Sequence, residues 1–295
     1  MLVAVWRVGL RNDHVRSLPR LRWVIWLGVL LCPLVCVGDD VGLSKDLHPW
    51  GRFERYKGAW KRYRVTTESL DENGQVVNTT VTETKTSLEE VDAEGVTLRV
   101  ETIAEIAGKQ LPSQPKRLRQ SLRGDWAAGK AVIHGGGLAQ VMIEGRAVPC
   151  RVEEAEVDGP AGKTVTRTYY SRFVSPYVLR RESRTTDPEG KTTLDETVFR
   201  VVSLDRPCKV APHIRRAVAI ESISTTPNGS TITRGFVSDE VPGGVVSHTA
   251  DELDKNGRLV RHSSLVLVDF GLEPENEDSG FFGRKRQRGR KYRTN

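Results

Sequence analysis

His134-Gly-Gly-Gly137 comes closer to a catalytic pattern than any other segment, because a histidine followed by glycines can turn backbone amides toward a developing negative charge. That chemistry also needs a nucleophile held on a strand-to-helix elbow. No Gly-x-Ser-x-Gly occurs in the 295 residues. The segment is therefore expected to be a flexible turn between strands, with no catalytic residue assigned. A hydrolase would require His134 to stand in a pocket beside an acid and a hydroxyl.

Metal chemistry finds as little support. His48, His134, His213, His248 and His262 are far apart in sequence, with no His-x-x-x-His pair and no close Cys/His cluster. His248 and His262 flank one expected hairpin and could approach across it, but a site needs three or four ligands. Neither a metal nor a cofactor is expected. Cys150 and Cys208 are candidates for one disulfide. If each repeat adds three or four strands to one sheet, these two residues stand ~14–19 Å apart, whereas a disulfide needs Cα atoms within about 7 Å. The bond would require the sheet to curl closed or the repeats to face each other.

Charge is concentrated at the two ends. The chain has a net charge of +7, yet Arg284, Lys285, Arg286, Arg288, Arg290, Lys291 and Arg293 crowd the carboxyl end with no acid among them. With the less basic amino end also set aside, the body is mildly acidic. Such a tail attracts polyanions by releasing counterions, so the expected contact is an anionic membrane surface or an acidic polysaccharide. Nucleic acid fits poorly, since Tyr292 alone offers no stacking platform.

The amino end has the form of a secretory leader. Arg7, Arg11, Arg16, Arg20 and Arg22 precede Trp23–Val37, a run without charge that is too short for a membrane span of roughly 20 residues. Cys36 and Gly38 supply small residues for cleavage after Gly38. The mature protein is then exported to the periplasm, the cell envelope or the medium, and Cys32 and Cys36 are lost with the leader.

These features must be positioned by strands. Asp71–Gly74, Asp92–Gly95, Asp187–Gly190 and Asp254–Gly257 share Asp-x-[Asn/Glu]-Gly, in which the carboxylate bonds the turn backbone and the glycine takes positive φ. Val96, Leu98 and Val100 alternate with Thr97, Arg99 and Glu101, and Tyr63 and Val65 with Arg62 and Arg64, as half-buried strands do. Arg180–Arg184 puts charge on both faces and suits a sheet with one wet side. Ser113–Arg123 could form one short helix starting near Pro115. Gly162–Val201 lies on Gly229–Val268 at a period of 67 residues with ten identities, which marks an internal duplication.

The expected organisation is a signal peptide at 1–38, an amino-terminal β unit at 39–145, hairpin repeats at 146–204 and 205–271, and an acidic linker with a disordered basic tail at 272–295. The fold class is mostly β: an antiparallel curved sheet or open half-barrel of repeated hairpins, with at most one or two short helices.

The run His48-Pro-Trp-Gly-Arg-Phe through Gly58-Ala-Trp-Lys, with the paired Ser171/Pro176 and Ser238/Val241-Pro-Gly-Gly244 segments, resembles uncharacterised exported bacterial β-repeat proteins. The strand-and-turn rhythm of residues 147–270 also resembles the lipoprotein-localisation carriers, open half-barrels whose concave face holds acyl chains. No functional residue carries over from either, and Arg180–Arg184 departs from a greasy lining. What the chain implies is a non-enzymatic envelope or periplasmic protein that binds a ligand or scaffolds a surface. A second reading is a carrier or sensor of an apolar molecule on a concave sheet.

Overall fold

The computed structural model of the protein describes residues 48–92, 95–106, 109–121, 131–159, 162–210 and 213–274. The expected leader at 1–38 and the cations Arg284–Arg293 lie outside them. A strap at residues 48–58, containing the 3-10 turn Gly51–Phe53, leads into fourteen strands. These are β1 (Trp60–Leu70), β2 (Val76–Val91), β3 (Gly95–Ile106), β4 (Lys109–Pro112), β5 (Lys116–Ser121), β6 (Ala131–Ile143) and β7 (Arg146–Gly159). They continue as β8 (Gly162–Tyr170), β9 (Val178–Thr186), β10 (Thr193–Val210), β11 (His213–Thr226), β12 (Gly229–Val237), β13 (Val245–Asp254) and β14 (Leu259–Gly271).

All strands form one antiparallel sheet, in the order β4-β3-β2-β1-β14-β13-β12-β11-β10-β9-β8-β7-β6, with β5 also on β3. The sheet is a meander in which the first strand docks on the last, Trp60 opposite Gly271. It is curved and open. β5 and β6 lie at opposite edges and would stand roughly 58 Å apart in a flat sheet at ~4.8 Å per strand. The chain from Ser121 to Ala131 reaches at most about 36 Å, so the sheet has to bend. β6 and β10 would likewise be ~19 Å apart if flat, yet they touch.

Turn chemistry starts the hairpins. Asp71 Oδ1 accepts from the amides of Asn73 and Gln75, and Asp254 Oδ1 accepts from those of Asn256 and Arg258. Gly74, Gly190 and Gly257 take φ of 76°, 70° and 78°. The backbone amides that Asp187 and Asp254 collect hold both carboxyls below the usual aspartate range. The 67-residue echo appears in three dimensions as well. Ser171 N bonds Tyr177 O at 2.8 Å, and Ser238 N bonds Gly244 O at 2.7 Å, so two loops of one design connect β8 to β9 and β12 to β13.

Register separates two faces. Val65, Leu265, His248, Gly235, Ile220 and Val201 form one row across six strands and turn inward. Phe199, Leu179 and Tyr170 continue this lining, and Val141 and Ile143 of the curled β6 pack against it. Hydroxyls occupy the same face nearer the Asp-Gly turns, where Thr197 bonds Ser224 and Ser263 bonds Thr67. The outer face carries ion pairs, as in Glu221 held by Arg200 and Arg234, which keep its carboxyl below the usual range. Arg180–Arg184 fits this division, with Arg180 outside beside Glu182 and Arg181 inside beside Phe199.

Three expectations need correction. The described part of 113–123, residues 113–121, forms no helix, because β3 offers an unpaired edge and Lys116–Ser121 pairs with it, placing Leu118 opposite Leu98. Propensity yields to that pairing. His134–Gly137 is not a turn between strands. It lies inside β6, where an extra residue bulges opposite Arg151–Glu153. A Cβ on Gly136 would meet Val152 O at 1.9 Å, so glycine is required by close approach of the backbone. Arg62, expected on a wet face, is buried, because a bulge at Arg62/Tyr63 turns it under the Trp60 ring toward Asp269.

Candidate functional site

The two repeat loops and the strap meet at one place. Trp50 and Phe53 of the strap are buried with Ala59, Leu88, Val96 and Leu98 on the inner side of β2 and β3. This anchors Pro49 and Arg52 over the loop end of the sheet. Gly243 N donates to Pro49 O at 3.2 Å, and Arg52 pairs with Asp239 at 3.1 Å while lying over the Tyr177 ring. The strap thus touches one loop by hydrogen bond and the other by cation–π contact.

Between them lies a cleft of about 60 Å³. Phe199, Ile220 and Val237 form its floor, and Val241, Val245 and Tyr177 its sides, with the Arg52–Asp239 pair among its lining residues. One water needs about 10–15 Å³ of such space. The cleft therefore has room for a few waters or a short alkyl or aromatic group, and the lining favours the apolar choice.

Behind the loop is a buried cation. Lys61 is 5% exposed, with Nζ 3.4 Å from Gly243 O and 5.2 Å from the Trp50 ring centre. Burial lowers its pKa from 10.5 to about 7. His248, also buried, is lowered to about 4 by burial and then by the nearby Lys61 charge, and its Nδ1 has no hydrogen-bond partner in the structure. His48 is lowered to about 4 by burial, and its Nδ1 accepts from Trp50 N at 3.2 Å. Gly243 adopts φ of 72°, and a Cβ there would meet Lys61 Nζ at 2.7 Å. Lys61 therefore sits directly beneath the cleft wall and holds that wall from below.

Most residues singled out in the sequence lie elsewhere. His134 is exposed on the outer side of β6, opposite Glu154 and outside the cleft. His248 faces inward, whereas His262 faces outward and bonds Asp251 at 2.7 Å, so the two do not approach across their hairpin. Cys150 is buried on β7 and Cys208 half-buried on β10, and both thiols are free. Three strand steps separate them, ~14 Å along the sheet. Burial raises both thiol pKa values. A second hollow of about 260 Å³ lies at the β6 bulge, lined by Gly136, Gly137, Leu138, Arg151, Glu153 and Tyr170 among others. Sequence reasoning gave no role to Lys61, Pro49 or Arg52, although all three lie in the run His48–Phe53 through Gly58–Lys61 that carried the resemblance.

The strap is expected to depend on Trp50 more than on its ion pair. Arg52 and Asp239 are 32% and 44% exposed, and exposed pairs contribute under ~1 kcal/mol. Arg52→Gln should lower stability by less than that in urea denaturation. A larger loss would make the ion pair the anchor.

No protein-family model matches the chain, and no curated protein is significantly similar to it. Two solved structures match with low scores. A protein described as exported, with a YmcC-like fold, from Bacteroides fragilis is 11% identical, and the match covers 73% of this chain and 96% of that one at a TM-score of 0.31. A protein described as a lipoprotein, from Parabacteroides distasonis, is 9% identical, with coverage of 72% and 95% and a TM-score of 0.29. At these scores no residue or role is carried across.

Proposed function

We propose that this chain is an exported, non-enzymatic β protein that holds a small apolar group in the cleft between its two repeat loops. The observation that supports the reading is the cleft itself, with its floor of Phe199, Ile220 and Val237 and the strap closing its side. Lys61 beneath Gly243 fixes the loop wall in place, as a binding site held within a narrow tolerance requires. The leader sets the compartment, and the tail from Arg284 to Arg293 attracts an anionic membrane surface or polysaccharide. Carrier or sensor is favoured over scaffold because a concave apolar site on a curved sheet suits capture.

Titration with 1-hexanol, followed by methyl NMR, tests the reading. Val237, Val241 and Val245 should shift together and saturate, and Val237→Phe, which fills the cleft, should weaken binding by at least about tenfold, the loss of one buried apolar group. If the wild type shows no saturable shift at these valines, the cleft is not a binding site.

A further inference from the structure

We propose that the loop end of the sheet docks onto an anionic lipid bilayer through Phe173 and Ile214 and the cations around them. The topology brings these residues to one end. Loop 171–177, loop 238–244, the β6–β7 turn at Glu144–Gly145 and the end of β14 at Gly271 all lie there. The β10–β11 hairpin runs past the end of β12, which stops at Val237 opposite Val218, so Lys209, Ile214 and Arg215 project beyond it.

Phe173 is 94% exposed and Ile214 is 79% exposed, each on a separate protrusion. Side chains this exposed add little to packing within the chain and are free to enter an apolar layer beneath lipid headgroups. Arg146, Arg172 and Lys209 are exposed at the same end, and no ion pair joins them to an acid among the described residues. Arg206, Arg215 and Arg216 are nearby but balanced by Glu144, Glu240 and Asp205. The net excess at this end is positive.

The opposite end has no such excess. Its turns carry Asp71, Glu72, Asp187, Glu189 and Asp254 against Lys191, Lys255 and Arg258, with Arg258 paired to Asp254, and the exposed Val76 and Val77 there stand beside Asp71 and Glu72. An anionic headgroup layer therefore attracts the loop end of the sheet more strongly than the other, which favours a single orientation. Separate tips suit a bilayer, since each side chain can dip into the headgroup region on its own. The chain also leaves β14 from this end toward its seven-cation tail. The tail and the tips are distinct contributions: charge alone fades in salt, whereas apolar insertion does not.

Co-sedimentation of the full chain with vesicles separates them. Wild type and a Phe173→Ser/Ile214→Ser variant are mixed with phosphatidylglycerol–phosphatidylcholine vesicles and with phosphatidylcholine alone, at low and high salt. Both positions are exposed, so the fold should survive, which circular dichroism checks. The wild type should bind acidic vesicles and keep part of that binding at high salt. The variant should bind about tenfold more weakly at low salt and not at all at high salt. Equal binding by variant and wild type overturns the proposal and leaves only the tail. It also falls if the wild type ignores acidic vesicles, which would point to a protein partner for this end, or binds neutral ones as tightly, which would leave the cations without a role.

Discussion

Gly229→Ala is expected to destabilise the protein by at least ~3 kcal/mol, enough to unfold a marginal domain. Gly229 opens β12 at φ of 146°, and a Cβ there would stand 2.0 Å from Leu253 O. The clash is with backbone, so no side chain can swing aside, and relief requires β12 and β13 to part. Gly162 repeats the arrangement one period earlier, with φ of 133° and Thr186 O at 1.8 Å from the same hypothetical atom. Gly162→Ala should behave alike. Gly257→Ala is the control: its φ is 78° with nothing within 4 Å, so it should cost only about 1–2 kcal/mol for a left-handed alanine. Urea denaturation of the three variants checks this, and equal losses at all three would show that backbone conformation, not close approach, governs these turns.

Stability should rise by about 2–4 kcal/mol between pH 7 and pH 10 because of Lys61. Unfolded, the lysine keeps its proton up to about pH 10.5, and in the fold only to about pH 7. Between those values the unfolded chain binds the extra proton, so raising the pH removes an advantage of unfolding. His48 and His248 act in the same sense at lower pH. Each charges near 6.5 when unfolded and near 4 when folded, so stability is lost as pH falls through that window. Lys61→Met keeps the length, removes the buried charge and should flatten the rise above pH 7. It should also raise the acid-side pKa of His248 toward its ordinary value, since Lys61 is the second cause of that shift. Chemical denaturation across pH 4–10 for both proteins measures the two effects. A wild-type curve flat above pH 7 would mean that Lys61 is solvated.

The strands and their tight turns were legible because their signals are local. Asp71, Asp187 and Asp254 each act on residues within four positions, and Val96, Leu98 and Val100 alternate within one strand. What was hidden depends on distant pairing. Nothing near Trp60 announces that Gly271 will lie beside it, and Lys116–Ser121 looks helical until the edge of β3 is supplied. Among the glycines after His134, Gly136 marks close backbone approach, which sequence alone could not distinguish from turn flexibility. Lys61 shows the same limit for the site. A lysine among Trp60, Arg62 and Tyr63 reads as a solvated strand face, and only the strap folding back brings Trp50 over it.

The place of β1 next to β14 makes the strand order a circle cut once. Reading onward from β6, each strand neighbours the next through β14, then β1, β2 and β3, with β4 and β5 on the far edge of β3. In space the cut falls between the edges at β4/β5 and at β6, whereas the first and last of these strands in sequence, β1 and β14, lie side by side. The strands β1–β5 can pair among themselves, but the free side of β1 has no partner until Leu259–Gly271 has been made, so the two halves of the sheet can join only after β14 has been translated.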